Sequence, residues 1–470
     1  MPVLGPNARP GALCVSAVSN SRIIPSFSAS DYRGYMAEGN GGGLARREFL
    51  RTVAGGIVLS AGARLWGRTR VLKVTASAPP TPHDRLEPDW YRRKITQVQG
   101  ELDRRGLDAL LLLHAVNVIY TTGYFHLSTE RPLAAFIPTK GDAALFIPEL
   151  EADQVKLWWI KDYETYFDYP GPVNRVRWIA ERIARRGYDR ARIGIEEPTQ
   201  GRLNQLCLGA PNASFVTADD VVEHLRWIKD EEELRIMRRA MYFADYTVQA
   251  GRDFVARHGA VTEDQILKAS ADAVADKMSR ELHDVVGVGI DAPFGGLVPF
   301  GRRSAFPHAV PSKDTLKRGD PLILSFGAQV GGYNVECERS FCVGKPGDHG
   351  KRMFDAMLAA HDAAVSAMKE GAIAQDVDKL GLEQIRAAGM ASLIRHRCGH
   401  GIGLEAHESP WIAEGDRTVL KQGMTFSCEP GVYDPNFGGF RHSDTVVVSK
   451  AGGEILNKYP TRLPQMIIEI

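Results

Sequence analysis

The sequence predicts two folded domains, an α/β domain over residues 85–222 and an α+β domain over residues 223–470. In the first region, helical periods alternate with short apolar runs of the kind that form strands buried on both faces of a sheet. In the second region, pairs of helical segments alternate with strand segments that are joined by glycine-containing turns. A chain of 470 residues also exceeds the usual length of a single domain.

Four segments predict the α/β domain. Ile95–Arg105 has the apolar spacing of a helix, and Asp108–Leu113 contains a continuous apolar run typical of a buried strand. Ala134–Pro138 and Ala143–Ile147 flank a Lys-Gly-Asp turn, and this arrangement predicts a β-hairpin. We therefore expect a sheet with helices packed on it.

The α+β domain is predicted to start with a long helix. This helix opens within Leu225–Glu233, where acidic residues are concentrated and the helix dipole favours them. Thr262 is a candidate N-cap for a second helix. The remaining predicted features are two helices and two hairpin turns, at residues 350–370, 375–389, 331–332 and 437–439.

The balance of charge excludes one class of partner. The net charge of +1 is too small for a protein that binds nucleic acid electrostatically. No apolar run reaches the roughly 18 to 20 residues that span a bilayer, so no membrane span is expected. Nucleic acid and the membrane interior are therefore not expected as partners.

Residues 1–78 are predicted to be a leader that is removed. Arg46 and Arg47 precede Phe49-Leu50 and a weakly apolar run, and this pattern resembles a twin-arginine export signal. We therefore expect an exported, periplasmic protein that starts after a small-residue cleavage site near Ala78. Translation from Met1 and translation from Met36 are both compatible with the pattern.

The cysteines are predicted to be reduced. Cys14 falls in the leader, and the other five cysteines show neither a CxxC pair nor zinc-ligand spacing. Twin-arginine substrates fold before export in a reducing compartment, so disulfides are not needed.

A predicted hairpin carries the first candidate site residues. Glu336 and Glu338 are two residues apart in a strand, so their side chains share one face, and Ser325 lies midway along the partner strand. Two carboxylates on one face of an apolar hairpin are costly unless a cation lies near them. Further along, His400 lies in a Gly-His-Gly loop, and Glu429 ends an apolar strand. Together these segments predict an active site.

Six motifs carry a resemblance to a known family. In their order and spacing they resemble the creatinase/prolidase/aminopeptidase P family, over roughly residues 85–460. The resemblance implies an α/β N-terminal creatinase-like domain followed by an α+β pita-bread catalytic domain. The motifs are Ala305–His308, Leu324–Ala328, Gly332–Phe341, Gly399–Glu408, Cys428–Gly431 and Arg441–Asp444.

Two departures from the family pattern concern the metal site. The family usually holds two metal ions with Asp, Asp, His, Glu and Glu, and the matching positions here are Ser325, Glu336, His400, Glu429 and Ser443. The two serines remove carboxylates that divalent ions require, so no metal cofactor is expected. A single divalent ion (Mn, Zn or Co) on Glu336, His400 and Glu429 is the alternative.

The metal-free member creatinase is the closer match at the site. It resembles this chain at His308, Glu338 and Glu429, which implies that His308 moves a proton while the two glutamates hold a cationic substrate. Arg131 resembles the position from which a partner subunit binds the substrate carboxylate, so a homodimer is implied. The predicted catalytic residues are His308, Glu338, Glu429, His400 and His407, and the predicted substrate-binding residues are Glu336, Arg131 and His396.

The resemblance implies a small-molecule or short-peptide substrate and leaves three functions open. The first is a creatinase-like hydrolase that cleaves a C–N bond of a small substrate without a dinuclear metal centre. The second is a mononuclear metal-dependent aminopeptidase or prolidase that acts on Xaa-Pro bonds. The third is an inactive member of the family that only binds a ligand, and the retained histidines and carboxylates argue against it.

Overall fold

The computed structural model describes residues 84–167, 174–196, 198–283 and 294–470. These residues belong to one compact unit, Pro79–Ile470. The predicted leader, with its twin arginines and Cys14, lies outside the described residues.

The first domain is built on a six-stranded sheet in the order β4-β3-β2-β1-β5-β6. Its central strand β1 runs antiparallel to β2 and parallel to β5, so the sheet is mixed. Every residue of β1, β2 and β3 is buried, as the apolar runs predict. The strands are β1 (Ala109–Leu112), β2 (Ala134–Pro138), β3 (Ala144–Pro148), β4 (Tyr163–Tyr166), β5 (Arg192–Ile195) and β6 (Ser214–Thr217).

Six α-helices among the described residues accompany this sheet. The first of them begins at Pro88, seven residues before the predicted start at Ile95. Proline is well suited to the first turn of a helix, so the helix can begin there. The helices are α1 (Pro88–Arg105), α2 (Ala115–Thr122), α3 (Ala152–Val155), α4 (Arg175–Ile183), α5 (Gln200–Gly209) and α6 (Asp220–Trp227).

The junction between the domains differs from the prediction in its details. The boundary predicted between residues 222 and 223 falls inside α6, whereas the long helix opens within the predicted segment Leu225–Glu233. It begins at Glu231, because the Asp230 side chain accepts hydrogen bonds from the backbone of Glu232 and Glu233 in a capping box. A short connection over residues 228–230 therefore separates the two helices.

The second domain surrounds a nine-stranded sheet with two pairs of helices. The strand order is β11-β10-β12-β15-β9-β8-β7, with β16 beside β15 and β17 beside β9, and β13 pairs separately with β14. The strands are β7 (Phe294–Leu297), β8 (Pro321–Val330), β9 (Tyr333–Val343), β10 (Gly399–Gly401), β11 (Glu408–Ile412), β12 (Thr425–Cys428), β13 (Gly431–Asp434), β14 (Gly438–Arg441), β15 (Ser443–Val448), β16 (Gly453–Ile455) and β17 (Ile467–Ile468).

The four helices of this domain lie close to their predicted positions. Thr262 caps the second of them, again with a capping box, which confirms the predicted N-cap. The helices are α7 (Glu231–His258), α8 (Glu263–Glu281), α9 (Asp348–Ala367) and α10 (Ala374–Ala387).

The β8–β9 hairpin fixes the register of the site. Val330 pairs with Tyr333, so the loop consists of Gly331 and Gly332 alone. Both glycines have positive φ angles, 54° and 85°, which side chains rarely adopt. This tight turn sets Ser325 opposite Glu338 and Gly327 opposite Glu336.

The described cysteines are free thiols, as predicted. Four of them are buried and Cys207 is partly exposed. Burial raises the pKa of the Cys337 thiol well above its usual range, which keeps it protonated. Among the described helices, none combines the length and apolar character needed to cross a bilayer.

Candidate active site

The site is organised around β9, which lies in the interior of the large sheet. Glu336 and Glu338 both face one cavity of about 860 Å³, as their spacing predicts. Ser325 on β8 and Ser443 on β15 each pair with Glu338, from opposite sides. The row Ser443–Glu338–Ser325 therefore crosses three adjacent strands.

The Glu338 carboxylate is fully engaged by protein groups. Arg441 donates to both of its oxygens, with Nη2 at 2.6 Å from Oε1. The Ser325 hydroxyl also donates to Oε1. Glu338 and Arg441 are both buried, at 1% and 4% exposure. A paired and hydrogen-bonded carboxylate of this kind can remain charged in the interior.

The Glu336 carboxylate has weaker support. Ser427 donates to its Oε2 at 2.6 Å, and the hydroxyls of Ser427 and Ser443 lie 2.7 Å apart. Burial, followed by the negative charges of Glu429 and Glu338, raises the pKa of Glu336 to about 7. A cation beside Glu336 would therefore be strongly stabilised.

His400 lies between two carboxylates. It belongs to the short strand β10 rather than to a loop, because this segment pairs with both β11 and β12. Its Nδ1–H donates to the Gly401 carbonyl at 2.9 Å. Its buried Nε2 lies 3.4 Å from Glu429 Oε1 and 3.6 Å from Glu336 Oε2, without a hydrogen bond of good alignment to any described group.

The pKa values of His400 and Glu429 shift in opposite directions. Burial alone would lower the pKa of His400, but the carboxylates of Glu429 and Glu336 outweigh it and raise the pKa. Burial disfavours the charged form of Glu429, yet His400 and Arg441 lower its pKa to about 2. Glu429 is thus ionised, and His400 is drawn toward the charged form while no metal ion is present.

His407 completes a group of potential metal ligands. Its ring packs edge-on against that of His400, with centroids 4.0 Å apart. Glu336, His400 and His407 each offer one ligand atom, and these atoms lie within 4.8 Å of one another. Burial and then the neighbouring His400 lower the pKa of His407, which favours the neutral form that binds metals.

His308 and His396 line the same cavity. His308 is exposed on the loop that precedes β8, and it lines the cavity together with Glu429 and His407. His396 Nε2 accepts from the Tyr433 hydroxyl at 2.8 Å, while its Nδ1–H donates to the Arg397 carbonyl. Burial lowers the pKa of His396, consistent with the neutral ring that this hydrogen-bond pattern requires.

Comparison with known proteins identifies the family. Residues 235–450 match metallopeptidase family M24, and residues 94–228 match the creatinase/prolidase N-terminal domain. An Xaa-Pro dipeptidase of Pyrococcus horikoshii is 31% identical over 375 residues, which cover 79% of this chain and 98% of that protein. The chain belongs to metallopeptidase family M24. It is therefore a hydrolase of carbon–nitrogen bonds, as the sequence predicts.

Solved structures of a dipeptidase and a prolidase have the same fold. The dipeptidase PepE of Mycobacterium ulcerans superimposes with a TM-score of 0.71 at 26% identity, covering 82% of this chain and all of that one. The prolidase of Pyrococcus horikoshii gives 0.68 at 28% identity, covering 79% and 99%. These matches confirm the predicted creatinase-like N-terminal domain and pita-bread catalytic domain.

Membership of M24 implies a divalent metal ion, and the residues present fit one. The buried Nε2 of His400 lacks an aligned partner among the described groups, and it points toward Glu336 and Glu429. The expectation that the site needs no metal cofactor is therefore not supported. The sequence analysis proposed Glu336, His400 and Glu429 as ligands, whereas the structure brings together Glu336, His400 and His407. The turn after β10 places the His407 ring against that of His400.

The residues do not fit a second ion in the usual M24 manner. At the two positions where the resemblance implies acids, the hydroxyls of Ser325 and Ser443 are hydrogen-bonded to protein groups. The nearby Glu338 is bound through both oxygens by Arg441. Too few charged oxygens remain for another divalent ion.

Arg131 is the one predicted site residue that lies away from this cavity. It lines a separate cavity of about 990 Å³ between the first domain and the catalytic domain, where its Nη1 lies 2.8 Å from Glu130 Oε1. His407 lines both cavities. Within one chain, Arg131 is therefore not brought together with Glu336, His308 and Glu429.

Three residues of the site were missed by the sequence analysis, namely Arg441, Ser427 and Tyr433. Arg441 belongs to the motif Arg441–Asp444. Its position two residues before Ser443, where the family has an acid, could have marked it as a site residue. Ser427 shares a strand face with Glu429, which alternation along the strand already implied. Tyr433 reaches His396 through β13, and no pattern in the sequence marks that contact.

Proposed function

We propose that this chain is a peptidase for short Xaa-Pro substrates that uses one divalent metal ion. The observation that carries the proposal is the ligand group Glu336, His400 and His407. Glu336 and His407 line a cavity together with Glu429, and His400 Nε2 lies 3.4 Å from Glu429. The similarity to Xaa-Pro dipeptidases supports the substrate class. Three protein ligands with an open position are the usual arrangement of a catalytic metal ion.

The donor atoms suit an ion such as Mn²⁺, Co²⁺ or Zn²⁺. The hydrogen bond to the Gly401 carbonyl fixes Nδ1 of His400 as the protonated nitrogen and leaves Nε2 as the ligand atom. A divalent ion held there supplies Lewis-acid polarisation of the scissile carbonyl. The same ion would offset the charge repulsion among the carboxylates of the cavity.

The protein's own groups then divide the proton transfers. The Glu429 carboxylate lines the cavity beside the ligand group and accepts a proton from the attacking water. His308 lines the same cavity and supplies a proton to the departing nitrogen. The water oxygen first bonds to the carbonyl carbon, and the C–N bond breaks when this tetrahedral intermediate collapses and the nitrogen takes the proton from His308. Glu429 then releases its proton to solvent and the exposed His308 regains one, so one water molecule is consumed for each bond.

The creatinase-like alternative is less well supported by the geometry. It requires Glu338 and Glu429 to hold a cationic substrate together. Both oxygens of Glu338 are already bound by Arg441, so only Glu429 remains for that purpose. The proposal therefore gives Glu338 the role of holding Arg441.

The test compares substrates and metal content directly. Purified protein is stripped with chelator, reloaded with Mn²⁺, and assayed with Ala-Pro, Ala-Ala and creatine. We expect cleavage of Ala-Pro only, its loss on chelation and its recovery with about one equivalent of Mn²⁺. Creatine cleavage that survives chelation would favour the metal-free alternative instead.

We also propose that the precursor is exported through the twin-arginine route and that the mature protein is a periplasmic homodimer. The export proposal rests on Arg46, Arg47 and the weakly apolar run that follows them. The dimer proposal rests on Arg131, which resembles a residue that acts in a partner's site yet lies outside the cavity of its own chain. Both have tests of their own.

A further inference from the structure

We propose that Arg441 takes the place of a second metal ion and contacts the substrate at the scissile carbonyl. The inference rests on the proposed single-ion peptidase and deepens it, because it assigns a catalytic role to a residue that no motif marks as catalytic. It is carried by three observations, which concern the serines around Glu338, the charge of the cavity and the unused N–H groups of Arg441.

The first observation is the row Ser443–Glu338–Ser325. Neither serine has a free hydroxyl, since Ser325 donates to Glu338 and Ser443 is hydrogen-bonded with Ser427. Acids at these two positions would flank Glu338 with further negative charge and would compete for Arg441. With serines there, the guanidinium is held mainly by Glu338 in a two-pronged ion pair.

The second observation is the balance of charge. Glu336, Glu338 and Glu429 are the carboxylates among the described residues that line the cavity. Arg395 and Arg397 also line it, with hydrogen bonds to backbone carbonyls, whereas Arg441 forms an ion pair with Glu338. Arg441 offsets the charge of Glu338, so Glu336 and Glu429 are the carboxylates left for a divalent ion. Arginine keeps its charge at every relevant pH, so this positive charge is permanent.

The third observation is that Arg441 lines the cavity and keeps donor capacity. Its Nε and Nη2 donate to Glu338, whereas Nη1 makes only a long contact of 3.4 Å with the Tyr433 hydroxyl. Glu338 takes the single hydrogen of Nε, but Nη1 and Nη2 carry two hydrogens each, so the guanidinium has further N–H groups to donate. Nε also lies 3.9 Å from Glu429 Oε2, so a carbonyl oxygen bound beside Glu429 would lie next to a fixed cation.

This placement defines what Arg441 does in the reaction. Negative charge develops on the carbonyl oxygen as water attacks, and preorganised donors stabilise that charge strongly in a water-poor site. A second metal ion would supply the same stabilisation. Because Glu338 holds the guanidinium rigidly, no side-chain freedom has to be lost when the substrate binds.

The test uses the double variant Arg441→Met/Glu338→Gln, which removes both charges of the pair and leaves the net charge of the cavity unchanged. Replacing a whole buried ion pair avoids leaving one charge unpaired. Bound Mn²⁺ is counted by elemental analysis after equilibrium dialysis, and melting temperature, kcat and KM are measured with Ala-Pro. A second variant, Ser325→Asp/Ser443→Glu, restores the two acids.

We expect about one Mn²⁺ per chain in the native protein and in the Arg441→Met/Glu338→Gln variant. In that variant kcat should fall on the order of 100-fold, the scale for losing one donor to a developing oxyanion, while KM changes little. The Ser325→Asp/Ser443→Glu variant should bind close to two Mn²⁺. A single variant, Arg441→Lys, should keep one Mn²⁺ and part of the lost kcat.

Two outcomes would overturn the inference. One is two Mn²⁺ of similar affinity in the native protein, and the other is a kcat within about threefold of native in the folded double variant. Failure of the proposed function gives a different pattern, since a native protein that binds one Mn²⁺ but does not cleave Ala-Pro refutes the substrate class and leaves the metal count intact.

Discussion

Glu336 and Glu338 stand on one face of the same strand, yet their carboxylates have opposite surroundings. Glu338 is neutralised by a two-pronged ion pair with Arg441, whereas Glu336 receives a single hydroxyl bond from Ser427. The first carboxylate is thus stabilised within the protein, and the second needs an external cation. The alternation of a strand places both side chains in the cavity, but their partners decide which of them binds metal.

The first prediction concerns Glu336→Gln. The variant should bind Mn²⁺ more weakly than the native protein. The loss in affinity should exceed the roughly 10- to 100-fold that follows when only a hydrogen-bond partner of a metal ligand is removed. The metal-free variant should also melt at a higher temperature, because Gln removes the repulsion from Glu429 and Glu338. Calorimetric titration and thermal melts measure both effects, and unchanged Mn²⁺ affinity would contradict the assigned ligand.

The second prediction concerns His308→Ala. We expect kcat for Ala-Pro to fall on the order of 100-fold, which is the usual scale for a positioned proton donor. Because His308 is exposed, its removal should leave the melting temperature and the Mn²⁺ stoichiometry unchanged. His258→Ala, at the exposed end of α7, is the matched control and should keep native kcat.

The fold could be predicted from the sequence because its signals are local. Apolar runs marked β1, β2 and β3, and the Gly331-Gly332 turn fixed the hairpin that carries Glu336 and Glu338. The resemblance then identified His400 and Glu429. The start of α7 could be predicted only to within Leu225–Glu233, because several acids stand there and the sequence alone does not show that Asp230 acts as the cap.

The electrostatics of the site could not be predicted in the same way. Glu338 and Arg441 are 103 residues apart in sequence, and their pairing depends on how β14 approaches β9. Before that contact is known, Glu338 resembles a carboxylate that is free for a substrate. His407 is similar, since only the turn after β10 brings its ring to His400.

The third prediction concerns export. Replacing Arg46 and Arg47 together by lysine should trap the precursor in the cytoplasm, because the twin-arginine pattern depends on both guanidinium groups. Cell fractionation followed by mass determination of the periplasmic form provides the measurement, and native protein should start near residue 79. Normal export of the lysine variant would show that another signal directs it.

The fourth prediction concerns the proposed homodimer. Arg131→Ala and His400→Ala should each reduce activity strongly when produced alone. If Arg131 acts in the partner's site, co-production should restore activity, since a mixed dimer contains one site with both residues intact. Light scattering measures the mass, and an active monomer at assay concentration would contradict the proposal.

The fifth prediction concerns acid stability and rests on His442, which is buried beside β9. Its Nδ1 accepts from the Ser340 backbone N–H at 3.1 Å, and its Nε2–H donates to the Thr461 carbonyl at 3.0 Å. Burial, then the positive charge of Arg339 and the neighbouring His361, lower the pKa of His442 to about 3. Asp444 also lies near and acts in the opposite direction, but more weakly.

A histidine with a lowered pKa makes the native state acid-sensitive. Between its unfolded pKa of 6.5 and its folded pKa of about 3, the unfolded chain binds a proton at this position and the native chain does not. The free energy of unfolding therefore falls as the pH falls through this window, by up to ~1.4 kcal/mol per pH unit. Glutamine offers an acceptor and a donor but does not titrate, so His442→Gln should remove this slope. Denaturant unfolding at several pH values measures the difference from native, with His258→Gln as the exposed control, and equal slopes in native and His442→Gln proteins would show that His442 does not limit acid stability.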